Sequence, residues 1–121
     1  MSYDISFKVK VDGVENRYVE VGNCEANITW NVGEMIRKST GLEWKNEENN
    51  GLCKDVIPYI RIGLLELVNH PSKYKQYEAP NGWGTVEGCK RFFRRILGDW
   101  DEFCCDSWTE DLQDITYFWI E

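Results

Sequence analysis

A chain of 121 residues, 42% hydrophobic and 14% aromatic, has enough apolar side chain to bury a core without disulfide staples, which excludes a disordered segment. Its formal net charge of −7 disfavours nucleic acid as a direct partner and favours a basic protein surface. Five cysteines, an odd number with no Cys-x-x-Cys spacing, read as reduced thiols, and the single histidine leaves too few ligands for a zinc site, so no metal or cofactor is expected.

Met1-Ser2-Tyr3-Asp4 runs straight into a strand pattern without a secretory signal, and no apolar stretch is long enough to span a bilayer. The expectation is a single domain over 1–121 in the cytoplasm, away from the membrane. Tyr3 to Val11 alternates, with Tyr3, Ile5, Phe7, Val9 and Val11 on one face and Asp4, Ser6, Lys8 and Lys10 on the other. That is the period of a half-buried strand. Asp12-Gly13 then predicts a tight hairpin turn whose two central residues take positive φ, with the return strand over 16–21.

Residues 26–31 read either as a short strand or as an extended lead-in, and Asn31 is placed to cap a helix over 32–40 closed by Gly41. The polar run from Lys45 to Gly51 predicts a surface loop. Val56, Ile57, Ile60, Leu64, Leu67 and Val68 recur at three and four, predicting a helix over 54–69 with Pro58 in its first turn and His70-Pro71 as its stop. Ser72 to Tyr77 reads as a polar connection. Thr85 is placed to cap a second long helix to residue 104, with Val86, Cys89, Phe93, Ile96, Leu97, Trp100 and Cys104 along its apolar stripe. Residues 114–120, rich in β-formers, close the chain as a strand paired with the N-terminal hairpin. The fold class is therefore α+β: a small antiparallel sheet, made of the hairpin and the C-terminal strand, covered by two or three helices.

Charge is distributed unevenly. All 14 basic residues precede Asp99, whereas 99–121 carries eight carboxylates and neither Lys nor Arg. Interleaved with Trp100, Phe103, Trp108, Tyr117, Phe118 and Trp119, this end is either a solvated surface or a docking face for a basic partner. Its candidate contact residues are Asp106, Trp108, Glu110, Asp111 and Asp114. The cluster Lys90-Arg91-Phe92-Phe93-Arg94-Arg95 has the make-up of a phosphate patch, but Asp99, Asp101 and Glu102 follow directly, and internal neutralisation is expected.

A second candidate set is Asn27, Thr29, Trp30 and Asn31, just before a helix start, together with Asn81 and Trp83 of the Pro80-Asn81-Gly82-Trp83-Gly84 turn. If Trp30, Asn31 and Trp83 converge, they form a small-molecule or nucleotide site. The plainer reading gives these residues to helix capping and to a tight turn whose Trp plugs the core. No phosphate-binding loop, dinucleotide fingerprint or nucleophile elbow is present, and His70 before a proline reads as a helix end, so no catalytic residues are assigned and an enzyme is not expected.

Three motifs carry a resemblance: Met1-Ser2-Tyr3-Asp4-Ile5, Asn27-Ile28-Thr29-Trp30-Asn31-Val32 followed by Met35, and Pro80-Asn81-Gly82-Trp83-Gly84. In these the chain resembles a scattered family of small phage and mobile-element proteins whose members carry no assigned activity. The resemblance covers most of residues 1–100. Members commonly have Tyr at the Trp30 position, and the acidic aromatic end is not part of the shared pattern. The resemblance implies a phage-type accessory role, in which small acidic proteins block host nucleases or sequester signalling nucleotides. The leading expectation is thus a non-enzymatic, stoichiometric inhibitor of a host defence factor that docks through the acidic end. The alternatives are a ligand binder at Trp30, Asn31 and Trp83, and a structural component that homo-oligomerises through surplus aromatics.

Overall fold

Strand β1 (Ser2–Lys10) is the axis of the computed structural model, which describes residues 1–121. Along one side it pairs antiparallel with β2 (Tyr18–Glu20) and β3 (Asn27–Thr29), and along the other with β5 (Tyr117–Ile120). Strand β5 in turn pairs with β4 (Glu48–Leu52), giving the order β2-β1-β5-β4. Ile5 lies opposite Ile120 and Phe7 opposite Phe118, so these side chains share the face turned to the helices.

That face meets α1 (Gly33–Thr40), α2 (Cys53–Asn69) and α4 (Val86–Cys105) in a core of 24 buried apolar residues. Met35 and Ile36, Ile57, Ile60 and Leu67, and Phe93 and Ile96 are among the fully buried contributions of the three helices. Trp44 packs edge-on to Tyr3 and Phe92 at centroid distances of 5.6 and 5.9 Å. The expected α+β architecture is present, with its helices on one side of an antiparallel sheet. No helix is long and apolar enough to cross a membrane.

The caps at Gly41 (φ 80°) and Thr85, whose hydroxyl accepts the Gly88 N–H at 3.0 Å, are as expected. Other local expectations are corrected. The hairpin connection spans 12–16, because the Val11 N–H bonds to Arg17 O at 2.8 Å, and positive φ falls at Gly13 and Asn16 instead of Asp12. Helix α1 is entered through a 3-10 turn, Trp30–Val32, and the capping side chain is Thr29, which accepts the Asn31 N–H.

The expected loop over 45–51 contains edge strand β4. Its polar sequence has no apolar alternation because none of its side chains is fully buried, while Asn50 folds its amide back on Lys45 N and O at 2.8 Å each. Pro58 lies in the second turn of α2, which starts at Cys53, and is tolerated on the exposed side. Residues 71–77 are helical: α3 (Pro71–Tyr74) and a 3-10 turn, with buried Tyr74 donating to Glu66 Oε1 at 2.7 Å. The closing strand begins only at Tyr117, since the Thr116 hydroxyl donates to Leu112 O at 2.6 Å and ends a turn there.

Gly63 sets how closely α2 approaches its neighbours. A Cβ there would stand 2.5 Å from Thr40 Cγ2 and 3.0 Å from Phe93 Cε2. Gly63→Ala is therefore expected to destabilise despite a helix-propensity gain of about 1 kcal/mol, because overpacking costs about 1–3 kcal/mol. A lower denaturation midpoint in urea is the expected reading.

Candidate functional site

Residues 99–121 do not form one face. Asp99 to Cys105 complete α4, 106–116 form a turn-rich connection, and 117–120 are the strand between β1 and β4. Trp100 and Phe103 stack at 5.0 Å inside the core, and Phe118 is fully buried. Tyr117 and Trp119 lie half-buried on the outer sheet face, each edge-on to Tyr18 at 5.5 and 5.2 Å. Trp108 alone stands free, 88% exposed. The expected aromatic docking face thus reduces to one indole, because the other aromatics occupy positions that the helix and strand periods turn elsewhere.

The carboxylates divide in the same way. Asp99 pairs with Arg95 at 3.3 Å, Asp101 with Arg61 of α2 at 3.4 Å, and Glu121 with Lys8. Neutralisation of the 90–95 cluster by the following acids therefore holds for Asp99 only. Lys90 pairs with Glu87 at 2.6 Å, and Arg91 and Arg94 have no carboxylate partner. Asp106, Glu110, Asp111 and Asp114 likewise have no basic group within ion-pairing distance.

The loop itself is well tied. Asp106 Oδ1 accepts the Trp108 N–H at 2.8 Å, an Asx turn, while Asp106 O accepts the Glu110 N–H at 2.9 Å. The Thr109 hydroxyl donates to Phe103 O at 2.6 Å, and Glu110–Leu112 form a 3-10 turn. These bonds fix the backbone and leave the Trp108 side chain outside it. All five expected partner-contact residues therefore sit within nine residues, Asp106 to Asp114, of one hydrogen-bonded connection. The acids also follow the C-terminal end of α4, whose last turn has no basic residue to offset its partial negative charge.

The second candidate set is drawn together without being enclosed. Gly84 (φ 84°) lies so close to the helix entry that a Cβ there would stand 2.8 Å from Val32 Cγ1 and 3.2 Å from Asn31 Cβ. Yet no cavity is lined by Trp30, Asn31 and Trp83. Trp30 Nε1 donates to Ser2 O at 2.7 Å, Asn27 bonds to Asp4, and Asn81 Oδ1 accepts the Trp83 N–H at 3.0 Å. Trp83 is 63% exposed, so it does not plug the core.

A groove of 510 Å³ lies elsewhere, between β3 and α4, lined by Asn27, Ile28 and Glu25 on one side and by Gly88, Arg91, Phe92 and Arg95 on the other. The sequence marks Asn27, and Arg91 and Arg95 within a phosphate-patch pattern, but not the groove that joins them. The available signal was Arg91 and Arg95 four residues apart on one helix face. No three acidic, His or Cys side chains are grouped to hold a metal ion, and His70 stands at the exposed end of α2, 3.8 Å from Glu66.

All five cysteines are unpaired thiols. Burial pushes Cys24 up to about 12 and raises Cys53, Cys89 and Cys104 as well, whereas Cys105 is exposed. The raised values keep these four less reactive as nucleophiles, and Cys53 and Cys89 are also shielded by burial. Alkylation of the folded chain should label Cys105 first, and all five should react once the chain is unfolded, without a reductant. A thiol count below five by mass would contradict this.

Comparison of the chain with protein-family models, with curated proteins and with solved structures finds no match.

Proposed function

We propose that this chain is a non-enzymatic, stoichiometric binding protein that docks onto a basic protein surface through the 106–114 loop, with Trp108 as its apolar anchor. One observation carries the reading: an 88% exposed Trp stands on an ordered loop among four carboxylates that have no counter-ion in the molecule. An indole held in water forgoes burial of its large apolar surface, and unpaired like charges near a helix C-terminus repel. A basic partner relieves both costs at once, since Trp is a favoured interface anchor and complementary charge speeds encounter.

The finer reading is a phage-type inhibitor acting in a host cytoplasm. There the acidic loop would imitate a phosphate backbone toward the Arg/Lys-lined channel of a defence factor. Its support is the resemblance to mobile-element proteins together with the charge of the loop. An assembly role has one observation of its own, the exposed apolar residues Tyr59, Ile62, Leu65 and Val68 on α2, and a concentration-dependent mass in sedimentation equilibrium would favour it. The docking reading is tested by affinity capture from host lysate. The wild-type chain and a chain with Asp106, Glu110, Asp111 and Asp114 changed to Asn or Gln are compared side by side. A protein retained by the first and lost by the second supports it, and equal retention rejects it.

A further inference from the structure

The groove between β3 and α4 has a strand edge for one wall. Strand β3 pairs with β1 alone. The Ile5 N–H bonds to Ala26 O at 3.1 Å and the Trp30 N–H to Met1 O at 3.3 Å. In an antiparallel ladder such bonds alternate, so Ala26, Ile28 and Trp30 direct their main-chain groups to β1. Asn27 and Thr29 direct theirs away from β1, and Asn27 lines the groove.

The opposite wall is helical. Gly88 contributes no side chain to it, Phe92 is buried beneath it, and Arg91 and Arg95 stand one turn apart along it. Arg95 is held by Glu25 and Asp99, and the Glu25 N–H bonds to Asp99 Oδ2 at 3.1 Å, which ties the segment before β3 to α4. Arg91 is exposed and has no carboxylate partner. A strand edge facing a helix, with one uncommitted guanidinium beside it, is the arrangement by which sheets take up an extended peptide: main-chain bonds hold it, and flanking side chains select its sequence.

We propose that this groove binds an extended, acidic peptide segment of a protein partner, which adds as a strand to β3 and sets a carboxylate against Arg91. The guanidinium can form a bidentate ion pair with a carboxylate, which a neutral or basic segment does not carry. This surface shares no residue with the 106–114 loop and offers a cation, Arg91, where the loop offers carboxylates, so it does not depend on the reading given to that loop.

The experiment follows backbone amides of the ¹⁵N-labelled full chain during titration with an alternating Glu-Val hexapeptide. Its Lys-Val counterpart and an analogue N-methylated at alternate residues serve as controls. The expected result is shifts and slowed hydrogen exchange at the Asn27 and Thr29 amides with the Glu-Val peptide alone, and binding weakened about tenfold in Arg91→Gln, whose exposed position leaves the fold intact. Absence of shifts at Asn27 and Thr29, equal binding of the N-methylated or Lys-Val peptide, or unchanged affinity in Arg91→Gln would each overturn the proposal. Shifts at these amides that follow protein concentration without any peptide would also overturn it, because the groove would then belong to a second copy of this chain.

Discussion

Phe118→Ala should destabilise the fold by about 3–5 kcal/mol, the usual cost of truncating a fully buried Phe to Ala. Phe118 is 0% exposed on β5, opposite Phe7, with the Trp44 ring at 5.9 Å. Because β5 lies between β1 and β4, the cavity cannot collapse without moving two other strands. A small domain has only about 5–15 kcal/mol in total, so the loss should be plain in urea unfolding as a much lower midpoint. A change below about 1 kcal/mol would mean that this strand does not hold the sheet to the helices.

Trp108→Ala should do the opposite. The residue is 88% exposed and its side chain makes no hydrogen bond, so stability should stay within about 0.5 kcal/mol of wild type. Partner binding should fall by about 2 kcal/mol or more, roughly 30-fold, if the indole is the anchor of the interface. Trp108→Phe should recover part of the loss, because an aromatic ring remains to be buried. A variant that loses stability, or one that keeps full affinity, would remove Trp108 from the role given to it.

What the sequence makes legible here is what local periodicity controls. The alternation of Tyr3 to Val11 and the three- and four-residue spacing of Val56 to Val68 and Val86 to Cys104 correspond to β1, α2 and α4, although Val68 on the α2 stripe is 45% exposed and Ser6 on the polar face of β1 is buried. Strand β4 is hidden because Glu48-Asn49-Asn50-Gly51-Leu52 is polar, buries no side chain fully and carries a bulge at Gly51, where φ is 105°. The acidic end reads as one face for a similar reason. Neighbours in sequence, Trp108 and Phe118 lie on a loop and in a core, and only the helix and strand frames separate them.

Tertiary placement decides the candidate sites as well. The five residues of the 106–114 loop are close in sequence and stay close in space. By contrast, Trp30 and Trp83 needed an enclosing wall that no local pattern supplies. The groove at Asn27 and Arg91 joins segments some sixty residues apart and depends on which strand edge is left open. That property is invisible until the strand order is known.

The most direct measurement is the affinity of the captured partner for the wild-type chain and for the chain with Asp106, Glu110, Asp111 and Asp114 neutralised, each across a salt series. Wild-type binding should be tight at low salt and fall steeply toward physiological ionic strength, where screening acts over about 8 Å. The neutralised chain should bind more weakly at low salt, show a flatter salt dependence, and unfold at the same or a higher midpoint, since like-charge repulsion has been removed. Equal affinities with equal salt slopes would contradict docking through this loop.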